Sequence, residues 1–172
     1  MASMYEQNDV DNLGLPVSIL GNHPDEFYGV IGRIVCVCAV LEEKVTTLRH
    51  TLANAQQGKF THEPVGAQIA AARRLTRDLP HGTEQDVIAF LDEAEVAFRH
   101  RNALVHSSFP AQPDGRIWGH RATRDKAVTD GTADTVETTL EELRMFLRKL
   151  AELVRSFIQV HALASVRGHS RG

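Results

Sequence analysis

Between about Asp134 and about Ser165, apolar side chains recur at three- and four-residue steps: Val136, Leu140, Leu143, Leu147, Leu150, Val154, Phe157 and His161. Phe146, Leu153 and Ile158 widen the stripe. A strand would alternate at every second residue, so this run predicts a long amphipathic helix that must bury one face against other elements. The same period returns upstream. Phe27, Val30, Ile31, Ile34, Val37 or Cys38, Leu41, Val45, Leu48 and Leu52 predict a helix from about Asp25 to about Ala55. Pro24, Asp25 and Glu26 suit its first turn, where proline fits and acids favour the dipole. The first half of this helix is apolar nearly all round, which points to the centre of a bundle or a dimer interface.

Pro64 opens a shorter helix over Val65 to Leu79, with Ile69, Ala70 or Ala71 and Leu75 as a thin stripe, and Pro80 with Gly82 closes it. Thr83 followed by Asp86 resembles a capping box and predicts a third helix ending at about His106 or Ser107. Arg116 to Thr123, bracketed by the turns Pro113-Asp114-Gly115 and Asp130-Gly131, reads as a short extended strand or hairpin arm. The fold expected is therefore all-α: an antiparallel four-helix bundle with a short extended or hairpin insertion before the last helix. Residues 1–23 read as a tail and arm, with Leu15, Val17, Ile19 and Leu20 touching the core. Residues 24–166 form the bundle domain, and 167–172 a disordered tail. No Gly-rich phosphate loop and no alternation of strand with helix occurs, which excludes dinucleotide and P-loop folds.

With 172 residues, 42% of them hydrophobic, the chain can bury a core without a disulfide or structural metal. Its formal charge of −3 gives no general attraction to polyanions, so any such site must be local. Cys36 and Cys38 stand two apart, where helical neighbours do not face each other, and read as buried, reduced thiols. No ligand spacing for a metal accompanies them, and neither a metal nor a cofactor is expected. The apolar run Ile34 to Leu41 is far short of the ~20 residues that cross a bilayer. No Lys or Arg precedes Arg33, unlike a secretory leader, and the expected setting is cytoplasmic, away from the membrane.

Against this ordinary background, Arg99-His100-Arg101-Asn102-Ala103-Leu104-Val105-His106 stands out. At about 100° per residue, Val87, Leu91, Ala94, Phe98 and Val105 fall on one stripe, and Arg101 falls there too. A guanidinium directed at a core must be paired or face a cleft. Asn102 and His106, four apart, share a neighbouring face. One explanation is structural: Arg101 snorkels to the surface or pairs with Glu95 or with a carboxylate of another helix, Asn102 is a surface amide, and His106 sits favourably at a helix C-terminus.

Arg101-Asn102-x-x-x-His106 also resembles the Arg-Asn-x-x-x-His signature of the HEPN superfamily, small helical-bundle proteins of toxin–antitoxin, phage-defence and RNA-processing systems. The placement is similar too: toward the end of a late helix, before a loop and a long final helix. The resemblance implies a metal-independent endoribonuclease whose site is assembled from two subunits. The attacking group is a ribose 2′-hydroxyl. His106 would take or return its proton, Arg101 would stabilise the charge growing on the phosphate, and Asn102 would orient the histidine or bond the phosphate. Family toxins paired with nucleotidyltransferase antitoxins often carry a tyrosine two residues after the histidine; here that position is Ser108.

Arg99, His100, Arg116, Trp118, His120 and Arg121 are further candidates for RNA binding, because Arg99 to Lys126 is the most basic part of an acidic chain. Trp118 would stack on a base, or else plug the end of the bundle. The partners expected are RNA, a second copy of the chain, and an antitoxin or regulatory protein. The alternative is a catalytically inactive HEPN-like dimerisation or RNA-binding module, and a third reading is an unrelated structural bundle.

Overall fold

A computed structural model describes residues 10, 11, 13–16, 19, 23–54, 63–110, 116–121 and 134–165. They form four helices and one small sheet: α1 (Asp25–Leu52), α2 (Val65–Thr76), α3 (His81–Val105), β1 (Ile117–Arg121), β2 (Asp134–Thr138) and α4 (Leu140–Ser165). The chain divides into two compact units. One comprises Met1–Arg33 with Asn102–Met145, the other Ile34–Arg101 with Phe146–Gly172. Among the described residues, no helix is long and apolar enough to cross a membrane.

The second unit is a helical bundle, and its sequence periods explain its core. Ile34, Cys38, Leu41, Val45, Leu48 and Leu52 on α1 are buried. So are Val87, Leu91, Ala94 and Phe98 on α3, and Leu150, Leu153, Phe157 and Val160 on α4. Phe90 meets Phe157 at 6.1 Å between ring centroids, and His100 meets Phe146 at 4.1 Å, so these stretches of α3 and α4 run antiparallel. Polar side chains that reach the interior are bonded there. Gln68 on α2 is buried, yet its carbonyl accepts from the Thr46 hydroxyl at 2.6 Å and its amide donates to the Glu63 carbonyl at 2.9 Å. His161, in the apolar stripe of α4, shares a 2.9 Å hydrogen bond with Thr51 and packs on Phe157, as a satisfied core histidine does.

The first unit is organised around the hairpin. β1 and β2 pair antiparallel in the register Ile117↔Thr138, Trp118↔Glu137, Gly119↔Val136, His120↔Thr135 and Arg121↔Asp134. Alternation puts Ile117, Gly119 and Thr138, all buried, on the inner face. Phe109 covers that face so closely that a Cβ on Gly119 would lie 2.6 Å from its ring. The Phe109 ring meets Phe27 edge-on at 5.5 Å, and its carbonyl lies 2.9 Å from His23 Nε2.

Several expectations need correction. The final helix does not begin near Asp134: Asp134–Thr138 is strand β2, and α4 starts at Leu140. Thr135, Val136 and Thr138 are β-branched, which suits a strand, and Thr139 supplies the helix start. Its hydroxyl accepts the Glu142 N–H at 3.1 Å while the Glu142 carboxylate accepts the Thr139 N–H at 2.8 Å, a reciprocal capping box. Thr83 caps nothing, because α3 already begins at His81, directly after Pro80, whose carbonyl accepts the Glu84 N–H. Cys38 is buried but Cys36 is exposed, as are Val35 and Val40 at 42% each, so the first half of α1 is not buried all round. Leu15 and Ile19 are exposed, at 44% and 73%, so neither is a buried core residue, and Val17 and Leu20 lie outside the described residues. Asp11 instead folds this stretch on itself, its carboxylate accepting the N–H groups of Leu13 and Leu15.

Candidate functional site

Arg101 lies in the helical bundle unit, near the end of α3. The helix reaches it through buried Val87, Phe90, Leu91, Ala94, Ala97 and Phe98, and the next buried residue after it is Leu104. Spacing of three and four thus places Arg101 where an aliphatic side chain belongs. The residue is half-buried, and its Nε is fully buried with no hydrogen-bond partner among the described residues. Its guanidinium carbon sits 5.9 Å from the centre of the Phe98 ring. The other neighbour is Cys38 of α1: burial pushes this thiol up to about 11, and Arg101 opposes that rise through its charge and a side-chain hydrogen bond to the sulfur.

The carboxylate expected to neutralise Arg101 is engaged elsewhere. Glu95 and Asp92 both accept from Arg73 of α2, each at 2.6 Å. Among the described residues, Arg101 has no ion pair. A buried guanidinium nitrogen without an acceptor costs free energy, on the order of 1–3 kcal/mol. Local violations of this kind are commoner at functional sites than elsewhere in a fold.

Asn102 and His106 belong to the unit that carries the hairpin. Asn102 is half-buried, and its carbonyl accepts the His106 N–H at 3.2 Å, one residue past the end of α3. The Ser107 hydroxyl donates to the Ala103 carbonyl at 2.6 Å and so satisfies part of the helix terminus. The His106 side chain is exposed. Two residues on, Ser108 forms an isolated antiparallel bridge with His120, each N–H donating to the other's carbonyl at 2.9 Å. The segment after the motif histidine is thereby fixed to strand β1.

The candidates for RNA binding separate into groups. Arg116, Trp118 and His120 share one side of the β1 strand by alternation, and the Trp118 and His120 rings lie 3.9 Å apart at 70°. Arg116 pairs with Glu137 at 3.8 Å. Arg121 ends β1, and its side chain lies outside the described residues. Arg99 is exposed on α3. His100 instead stacks on Phe146 and lines a shallow, largely apolar groove with Val96, Leu150 and Leu153.

Sequence reasoning missed Cys38 as the neighbour of Arg101 and the Ser108–His120 bridge. Cys38 falls on the α1 stripe that faces the core, and Ser108 with His120 gave no local pattern that pairs them. No family model, curated protein or solved structure matches this chain.

Proposed function

We propose that this chain is a HEPN-like, metal-independent endoribonuclease that acts on RNA as a homodimer, in a toxin–antitoxin or phage-defence setting. The observation that carries the reading is the Arg101 Nε, buried without an acceptor inside an Arg-Asn-x-x-x-His motif. In the reaction, a ribose 2′-hydroxyl gives up its proton and its oxygen bonds to the adjacent phosphorus. The bond to the 5′-oxygen breaks, that oxygen takes a proton, and a 2′,3′-cyclic phosphate remains. Arg101 offsets the charge accumulating on the phosphate oxygens. His106 handles one proton, and its counterpart on the second copy handles the other. Asn102 orients the imidazole or bonds the phosphate.

Dimerisation draws support from α1, where Val35, Cys36 and Val40 place apolar groups at the surface of the single chain. An antitoxin or regulatory protein is the further partner this reading requires in the cell. A second reading, an RNA-binding or dimerisation module without catalysis, is favoured by the exposure of the His106 side chain. Induced expression in a bacterial host tests the proposal. Growth arrest with loss of intact RNA, relieved by His106→Ala and by Arg101→Met, is expected. Arrest that persists in both variants contradicts the proposal, and RNA binding with intact RNA favours the module.

A further inference from the structure

The hairpin carries an aromatic group that, among the described residues, faces only polar cross-strand neighbours. Its inner face is complete: Ile117, Gly119 and Thr138 are buried, and Phe109 lies against Gly119. Trp118 points the other way, directly across from Glu137, and the neighbouring pair on that side is His120 with Thr135. None of these cross-strand neighbours is apolar. On a two-stranded ribbon with one solvated face, polar or β-branched residues fill such positions, and a half-buried indole there exposes apolar surface to water. The ring is also held. The His120 imidazole stands against it at 3.9 Å and 70°, and both hydrogen bonds of the bridge to Ser108 fix the His120 backbone. That bridge lies two residues from His106.

We propose that the outer face of the β1–β2 hairpin is a nucleobase-stacking platform, with Trp118 as the stacking surface and His120 as the side chain that fixes its orientation. This rests on the ribonuclease reading, since the platform then holds a base of the RNA that is cut. A duplex keeps its bases stacked internally, whereas an unpaired base presents its π-face, so the platform selects unpaired nucleotides. Its electrostatic share is small. Arg116 is paired with Glu137 in solvent, both side chains about two-thirds exposed (67% and 66%), and such a pair contributes little net field. The hairpin therefore acts through stacking, and Trp118 is a positioning residue for the cleavage step.

The chain has a single tryptophan, so its emission reports on this position alone. A 12-nucleotide 2′-O-methyl RNA, which lacks the attacking hydroxyl, separates binding from cleavage. Titrated in EDTA, the single strand should quench the emission, and a duplex of the same sequence should not. By anisotropy of a labelled strand, Trp118→Ala should weaken binding about 5- to 150-fold, the range for one base–aromatic stack, and Trp118→Phe should retain most of it. Glu137→Gln, which removes the acid opposite the indole, should tighten binding, a result that no folding defect imitates. Unchanged emission at saturating single strand, equal quenching by duplex, or full affinity in Trp118→Ala overturns the platform. Cleavage of unmodified RNA without a tryptophan response overturns the platform while leaving the nuclease reading. Quenching without cleavage supports the platform and removes the nuclease.

Discussion

Arg101→Met separates a functional arginine from a structural one, because the two predict opposite changes in stability. In the wild type, Nε is buried without an acceptor, at a cost on the order of 1–3 kcal/mol. Methionine is unbranched, has a helix propensity close to that of arginine, and adapts to an irregular site beside Phe98 and Cys38. What is lost is the contact of the guanidinium with the Phe98 ring at 5.9 Å, worth about 0.5–1 kcal/mol, together with a weak hydrogen bond to the Cys38 thiol. The balance favours the variant by about 1 kcal/mol, which for a protein of this size raises Tm by about 2–4 °C. Equilibrium unfolding in urea, with a thermal melt beside it, reads the change. The same variant should lose RNA cleavage, giving the opposed movement of stability and activity expected where a site is kept at the expense of the fold. If Arg101→Met instead loses more than about 1 kcal/mol, the guanidinium has a structural partner and the reasoning fails.

Other outcomes follow from the local geometry. Gly119→Ala would put a Cβ 2.6 Å from the Phe109 ring, and should cost about 1–3 kcal/mol in urea unfolding; a neutral result would show that Phe109 is free to move aside. Thr139→Ala removes one half of the capping box at the start of α4 and should cost about 1 kcal/mol by the same assay. Burial raises the Cys38 thiol from its ordinary value of 9 to about 11, so the folded chain holds a proton that the unfolded chain releases. The resulting stability is complete below about pH 9 and is lost as pH climbs through about 11. Stability measured across that window should fall more steeply in the wild type than in Cys38→Ala, and parallel curves would contradict the assignment. Oxidation of the purified protein should yield a disulfide-linked dimer through exposed Cys36 if α1 faces α1 in the dimer, and Cys36→Ser should abolish it.

Long apolar periods made the helices legible, and α1, α2 and α3 lie close to their expected ranges. What stayed hidden depended on partners distant in the chain. Val136 fits the stripe of the last helix by spacing, yet Thr135, Val136 and Thr138 form the second strand of a hairpin whose first strand, Ile117–Arg121, was legible within Arg116 to Thr123, and the chain turns helical only after Thr139. The motif Thr139-Leu140-Glu141-Glu142 carried that boundary as a capping box, whereas the weaker Thr83/Asp86 match was overridden by Pro80 one turn earlier. At the candidate site, the misfit of Arg101 in an apolar stripe was readable from the helical period alone. Its lack of a counter-charge was not, since Glu95 stands on the same helix and only the position of Arg73 on α2 explains why that carboxylate is engaged elsewhere. Cys36 and Cys38 looked alike as sequence. Their different exposure comes from a rotation of about 200° around α1, which separates the core side from the surface.

End-group analysis of RNA incubated with the purified protein in EDTA bears most directly on the central claim. Fragments ending in 2′,3′-cyclic phosphate with 5′-hydroxyl partners, absent with His106→Ala and with Arg101→Met, are the predicted result. Intact RNA under the same conditions from a folded, dimeric wild-type protein would contradict it, as would cleavage that survives both substitutions.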